Sequence, residues 1–234
     1  MDKLVEYLCI IQARVNSSRL PSKVMLDLAG QTLLERVYET VLDSKKINKI
    51  IIATSTQTTD DIIELKLKAL NIECYRGDLD NVLKRFYDTA LMFNAKNIIR
   101  ITADNPLMDG KIIDNLISIY ESKDIDYCSF TNAVYGLSAE VFSFESLQTA
   151  YNNARDNFDR EHVTPYIIDN CLVYTEDVEE KYRKPELSAT VDTLDDYIKI
   201  NKFYMYCNKN NILPNIDNYI THQIICLKEG ENVK

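Results

Sequence analysis

Apolar residues follow two different periods along the first two thirds of this chain. Short runs that are apolar or β-branched at nearly every position, residues 7–13, 49–55, 72–76, 97–103 and 125–130, predict buried strands. Between them, residues 32–46, 58–70, 79–94 and 109–122 carry apolar side chains at helical spacing. In the second of these, Ile62, Ile63, Leu65 and Leu70 alternate with Asp60, Asp61, Glu64, Lys66 and Lys68, as a helix with one buried side requires. Strands apolar on both faces, alternating with helices, predict an α/β fold with a mostly parallel central sheet and helices on both faces. Beyond residue 132 the alternation loosens. There the pattern predicts a short strand at 140–144, helices starting at Glu145 and Asp159, a strand at 187–191 and a helix starting at Asp195. No linker-like stretch or internal repeat divides the chain, so one domain over residues 1–234 is expected.

Composition removes several function classes. A net charge of −9 disfavours nucleic-acid binding, which depends on many Lys and Arg contacts to phosphate. No apolar run approaches the roughly 18 residues of a membrane-spanning helix, and MDKLVEYLCIIQAR lacks the form of a signal peptide. A cytoplasmic protein without a membrane partner is expected. The six cysteines are scattered, no Cys-x-x-Cys occurs, and His162 and His222 are the two imidazoles, so free thiols are expected and a structural zinc site is not. With five glycines and no G-x-G-x-x-G after the first strand, classical dinucleotide binding is disfavoured.

Three constellations carry candidate chemistry. The first follows strand one. From Ala13 to Leu26 the chain holds Arg14, Arg19 and Lys23 and no carboxylate, with Asn16, Ser17 and Ser18 between the cations. Loops at the carboxyl ends of parallel strands are where open α/β sheets bind ligands, and such a loop can wrap a triphosphate. The second is Arg100-Ile101-Thr102-Ala103-Asp104-Asn105-Pro106-Leu107-Met108-Asp109, where Asp104 arrives directly after an apolar strand and reads as a metal ligand, and Asp109 as a helix cap. The third is Leu187-Ser188-Ala189-Thr190-Val191-Asp192-Thr193, again an apolar run ending on an aspartate before a helix. On pattern alone, Asp192 is equally a magnesium ligand or a helix cap.

The basic loop resembles the signature A-R-x-x-S-x-R-L-P-x-K of the cytidylyltransferases that activate acidic sugars, such as the acylneuraminate and 3-deoxy-manno-octulosonate enzymes. The likeness narrows to the spore coat polysaccharide biosynthesis protein F type through Arg100 to Asp109, Tyr135-Gly136-Leu137-Ser138-Ala139-Glu140-Val141-Phe142, Arg160-Glu161-His162-Val163-Thr164-Pro165-Tyr166 and Thr190-Val191-Asp192-Thr193. It implies a Rossmann-like, glycosyltransferase-A-type nucleotidyltransferase fold. It implies CTP as substrate, with nucleotide held near Gln12, Ala13, Arg14, Asn16, Ser18, Arg19, Lys23, Arg76 and Thr102. By the same likeness Asp104 and Asp192 hold Mg2+, Arg14 and Lys23 join them as catalytic residues, and Glu140, Glu161 and His162 face a small sugar-like acceptor. Residues 130–175 would form an acceptor-binding and dimerisation subregion of a homodimer, with Tyr135, Tyr151, Phe158 and Tyr166 as aromatic contacts or as core. Two positions depart from the family pattern. Ser22 stands where relatives commonly have glycine, so a left-handed backbone there would be strained, and Thr102 stands where the octulosonate enzymes place a base-reading glutamine.

The expected reaction is attack of an acceptor oxygen on the α-phosphorus of CTP with release of pyrophosphate, His162 or Glu161 being candidate bases. The competing readings are a GTP- or UTP-dependent sugar-phosphate nucleotidyltransferase, a non-catalytic nucleotide-binding relative, and a glycosyltransferase using Asp78-Leu79-Asp80 as its metal motif.

Overall fold

A computed structural model describes residues 3–231. Its central sheet begins with β1 (Val5–Gln12), which leads through a 3-10 turn (Lys23–Met25) into a two-stranded hairpin, β2 (Asp27–Leu28) and β3 (Gln31–Thr32), and then α1 (Leu33–Leu42). There follow β4 (Lys49–Ser55), a 3-10 turn (Thr58–Asp60), α2 (Asp61–Ala69), β5 (Cys74–Gly77), α3 (Val82–Met92), β6 (Ala95–Thr102) and α4 (Gly110–Glu121). The second half holds β7 (Tyr127–Thr131), β8 (Glu140–Ser143), α5 (Phe144–Asn153), α6 (Asn157–His162), α7 (Pro165–Asn170), β9 (Val173–Asp177), α8 (Leu194–Asn210) and α9 (Ile216–Glu231).

The sheet runs β5-β4-β1-β6-β8-β7-β9, parallel except where β8 lies antiparallel to both β6 and β7. Period-two alternation sends the strands' apolar residues to two cores. Cys9, Ile11, Ile52, Ile99 and Ile101 face a core built with α1, α2, α4, α8 and α9. Leu8, Ile10, Ile51, Ala53 and Ile98 face the other, built with α3, α5 and α7. This is the mostly parallel α/β architecture read from the apolar runs, with helices on both faces. None of the described helices is long and apolar enough to cross a membrane. All six cysteines are free thiols.

The hairpin β2–β3 and helix α9 have no counterpart in the pattern-based expectations, and three further departures have plain physical reasons. Residues 187–191 are extended but not a sheet strand. Ser188 forms an isolated bridge to Tyr135, and Ala189 N–H donates to Tyr135 O at 2.7 Å, so this run stitches two loops instead of extending the sheet. Phe144, expected to end a strand, opens α5 because the Ser143 hydroxyl accepts from Ser146 N–H and caps the helix. Strand β9 has no counterpart in the apolar pattern for a physical reason: as an edge strand with three exposed residues, it lacks the continuous apolar run of a buried one.

Candidate active site

Strand β1 lies where the order reverses, with β4 and β5 to one side and β6 to the other. The loops after β1 and β6 therefore flank a crevice at the carboxyl edge of the sheet. A cleft of about 280 Å³ opens there, lined by Gln12, Ala13, Arg14, Ser17, Ser18, Arg19, Lys23, Thr102, Asp104, Glu161, His162 and Asp192 among others. Most of the residues singled out by sequence converge on it.

The loop after β1 keeps its path through a buried carboxylate. Asp60 is 1% exposed; its Oδ1 accepts from Val15 N–H at 2.8 Å and its Oδ2 from Ser55 N–H at 3.1 Å. Val15 O in turn accepts from the N–H groups of Ser17 and Ser22, both at 2.9 Å. Ser22 sits at φ 60°, ψ 18°, in the left-handed region that glycine occupies freely. That single reversal starts the 3-10 turn that carries Lys23.

Lys23 is the centre of the site. Its Nζ donates to Asp104 Oδ2 at 2.7 Å and to Asp192 Oδ1 at 2.9 Å, and Arg19 Nη2 lies 2.8 Å from the same Asp192 oxygen. Both carboxylates thus converge on one cation-sized point. Backbone geometry enforces this: Val191 N–H donates to Asp104 O at 2.9 Å and Thr190 Oγ1 to the same oxygen at 3.3 Å, laying the 187–191 run against the loop after β6. The helix-cap alternatives also separate. Asp109 caps α4, accepting from Lys111 N–H at 2.7 Å. The cap of α8 is Thr193, in a reciprocal capping box with Asp196, which leaves the Asp192 carboxylate to the cleft. Asp78 accepts from the N–H groups of Asp80 and Asn81, so Asp78-Leu79-Asp80 is a turn leading into α3.

Two oxygen donors of this kind fit a small hard cation, with the rest of its shell left to phosphate oxygens and water. Among the described residues no cluster of three or more His, Cys, Asp or Glu forms a fuller metal cage.

Several sequence-expected residues lie elsewhere. Arg76 does not line the cleft: its guanidinium donates to Ser55 O and Gln57 O and pairs with Asp61 and Glu64. Asn16 turns toward Thr59, to whose hydroxyl its Nδ2 donates at 3.2 Å. The backbone of Gln12 and Ala13 is partly committed to the sheet, since Gln12 O accepts from Ala103 N–H and Ala13 N–H donates to Ala53 O. Glu140 lines a smaller recess of about 230 Å³ that meets the cleft at Arg100 and Thr102. There its carboxylate pairs with Arg100 and accepts from Tyr127 OH at 2.7 Å and Thr164 OH at 2.8 Å, and Arg100 Nε donates to Gln12 Oε1 at 2.9 Å. Glu161 pairs with Arg14 at 3.4 Å, while His162 is exposed and packs on Phe158, ring centroids 4.4 Å apart. Of the aromatics assigned to a dimer contact, Tyr135 and Phe158 are exposed; Tyr151 stacks on Tyr87 and Tyr166 packs against the second core.

Two functional candidates had no sequence signal as such. Asp60 looked like one of several acidic helix residues, and Arg85 like one polar position of α3, yet Arg85 lines the cleft and is 2% exposed.

A sequence profile of the cytidylyltransferase family matches residues 8–217. The chain is 33% identical over 207 residues to the spore coat polysaccharide biosynthesis protein SpsF of Bacillus subtilis, covering 85% of this chain and 86% of that one. It is 37% identical over 211 residues to the uncharacterized protein MJ1063 of Methanocaldococcus jannaschii, covering 89% and 85%. Its fold superimposes on a cytidylyltransferase from Leptospira borgpetersenii with a TM-score of 0.84 at 23% identity, covering 98% and 96%. The protein belongs to the cytidylyltransferase family.

Proposed function

We propose that this protein transfers CMP from CTP to a small sugar-like acceptor, releasing pyrophosphate, in the synthesis of a surface polysaccharide or glycoconjugate. The observation that carries the reading is the convergence of Asp104 and Asp192 on one cation position beside the cationic loop of Arg14, Arg19 and Lys23. Asp104 and Asp192 would hold Mg2+, which when bound supplies positive charge against the triphosphate and the oxygen that attacks it.

The chain's own residues account for the remaining requirements. The acceptor oxygen bonds to the α-phosphorus as the bond to the pyrophosphate oxygen breaks, and charge grows on that leaving group. Arg14, Arg19 and Lys23 neutralise it through charge-assisted hydrogen bonds. Glu161 would orient Arg14 through their ion pair, and His162 or Glu161, both lining the cleft, would take the acceptor proton. The acceptor enters from the recess that meets the cleft at Arg100 and Thr102. Spore coat polysaccharide synthesis is the role named for the Bacillus relative, and it supports a surface-glycan acceptor here. The working unit is a homodimer joined through residues 130–175, where Tyr135 and Phe158 stand exposed; light scattering on the purified protein reads its mass.

The test is a matrix of the four nucleoside triphosphates against acidic sugars, polyols and sugar phosphates, read as pyrophosphate release with Mg2+ present. CTP is expected to be the donor, and Asp104→Asn or Asp192→Asn to lower turnover on the order of 100- to 1,000-fold. Release with GTP or UTP but not CTP would sink the reading.

A further inference from the structure

The loop from Ala13 to Leu26 brings Arg14, Arg19 and Lys23 together and holds no carboxylate of its own. Like charges repel, so such a loop keeps one shape only if something outside it sets that shape. Val15 ties its two ends, because both of its peptide groups are engaged. Val15 O accepts from Ser17 N–H and Ser22 N–H, each at 2.9 Å, and Val15 N–H donates to Asp60 Oδ1 at 2.8 Å. Arg14 directly precedes Val15 and Lys23 directly follows Ser22. Both ends of the cationic stretch are therefore referred to one point, and that point is fixed by a carboxylate 45 residues further along the chain.

Asp60 is itself held from behind. It ends the 3-10 turn after β4, where its Oδ2 accepts from Ser55 N–H at 3.1 Å and its own N–H donates to Gln57 O at 2.9 Å. Arg76, on the edge strand β5, spans the same turn: Nε donates to Ser55 O and Nη2 to Gln57 O, both at 2.9 Å. Ion pairs to Asp61 at 2.7 Å and Glu64 at 2.6 Å fix the guanidinium against the start of α2. Asn16 adds a second tether between loop and turn, its Nδ2 donating to Thr59 Oγ1 at 3.2 Å. Arg76 and Asn16 both lie outside the cleft, yet both act on the turn that carries Asp60. The chemistry of each group is specific. A guanidinium fork spans two carbonyls where an ammonium does not. A carboxylate has an acceptor for each of two backbone N–H groups, whereas an asparagine would turn its NH2 toward Val15 N–H or Ser55 N–H, donor against donor.

We infer that Asp60 is the positioning residue of the cationic loop and that Arg76 holds Asp60 in place, so that Arg14 and Lys23 stand at a set spacing before any ligand arrives. Neither residue touches the ligand. Cations ordered in advance bind a polyanion more tightly than the same cations on a mobile loop, because their ordering is not charged to the binding step. The inference rests on the reading of this loop as the one that holds the triphosphate, and on neither the base nor the acceptor.

The experiment compares intact wild-type protein with Asp60→Asn and Arg76→Lys in two measurements. Amide hydrogen exchange followed by NMR without ligand is expected to quicken by about tenfold or more at Val15, Ser17 and Ser22 in either variant, while amides at the ends of α4, which also exchange by local opening, change less than about threefold. Calorimetric binding of phosphate, pyrophosphate and tripolyphosphate with Mg2+ reads the consequence. In Asp60→Asn the loss of affinity is expected to grow with chain length, from less than about twofold for phosphate to roughly 10- to 100-fold for tripolyphosphate, the probe long enough to engage Arg14 and Lys23 together. Arg76→Lys is expected to lose about 3- to 10-fold on tripolyphosphate, since it keeps the charge and loses the fork. Should Asp60→Asn not fold, Arg76→Lys decides alone, because it reaches the loop only through the turn that carries Asp60. Unchanged exchange at Val15 in the folded variants, or an equal loss for phosphate and tripolyphosphate, would overturn the assignment. Failure of the triphosphate reading looks different: wild-type protein then binds none of the three probes, while the exchange rates still report whether Asp60 and Arg76 hold the loop.

Discussion

At the scale of single residues, the proposed function would give Lys23 two jobs that cannot be done together. Its ammonium occupies the point on which Asp104 and Asp192 converge, so the divalent cation of the proposed function would have to compete with it. In the proposed reaction the triphosphate would resolve the competition by drawing Lys23 toward phosphate oxygen. Lys23→Met is therefore expected to bind Mn2+ without nucleotide, measured by the loss of the free-ion paramagnetic signal, while wild-type protein binds it appreciably only with CTP present. Ser22 offers a smaller test. Its left-handed backbone is strained in any residue with a Cβ, and glycine removes that strain at some cost in unfolded-chain entropy. Ser22→Gly is expected to stabilise the fold by about 0.5–1 kcal/mol and Ser22→Val to destabilise it, both read from denaturant midpoints. Residues of this kind were legible when the chemistry sat in a contiguous run. Asp104 and the loop cations stand out by charge and position after apolar runs, whereas Asp192 reads on pattern equally as a helix cap and is separated from that reading by the family resemblance. The burial of Arg85 and Asp60 is not legible there, because it comes from partners brought in by the fold, which leave no local pattern.

Between elements, the antiparallel pairing of β6 with β8 sets Arg100 directly opposite Glu140. Side chains in that relation interact strongly, and here both are largely withdrawn from water, each 15% exposed. Removing one partner strands the other. Glu140→Leu alone is expected to destabilise by roughly 3 kcal/mol, and Arg100→Leu with Glu140→Leu by less than the sum of the two single changes. A double-mutant cycle in urea measures this; strict additivity would show that the pair is not coupled. The same pairing explains why helices and central strands could be read from sequence and the far edge of the sheet could not. Elements α1 to α4 and the strands between them are apolar where they face the two cores, and period alone marks them. Strand β9 and the extended run at 187–191 are defined by what they hydrogen-bond to, and a sequence pattern carries no information about a partner 46 residues distant, as Thr131 is from Asp177.

For the whole molecule, six thiols and no disulfide give a direct probe of the folded state. Burial pushes Cys74 and Cys128 up to about 11, and Cys9 is raised further for the same reason, so none is thiolate near neutral pH. Cys226 is exposed on α9. A thiol reagent at pH 7.5 is expected to titrate Cys226 quickly in the native protein and the buried cysteines only after denaturant is added. Fast reaction of Cys9 or Cys128 would mean that the β1 or β7 core opens readily.

The order of strands also sets a schedule for synthesis. By the time residue 102 has been made, β5, β4, β1 and β6 can pair as four parallel neighbours, leaving the outer edge of β6 open. The next strand made, β7, does not belong on that edge; β8 does, and β7 joins only through β8. Asp192 lies 169 residues beyond Lys23 and reaches it after the sheet is closed. A nascent chain released early would thus expose a bare sheet edge and a cationic loop lacking one of its two carboxylates. Such fragments are expected to aggregate through the open edge until β8 is made, and to leave the loop cations without Asp192 until residue 192 has been added.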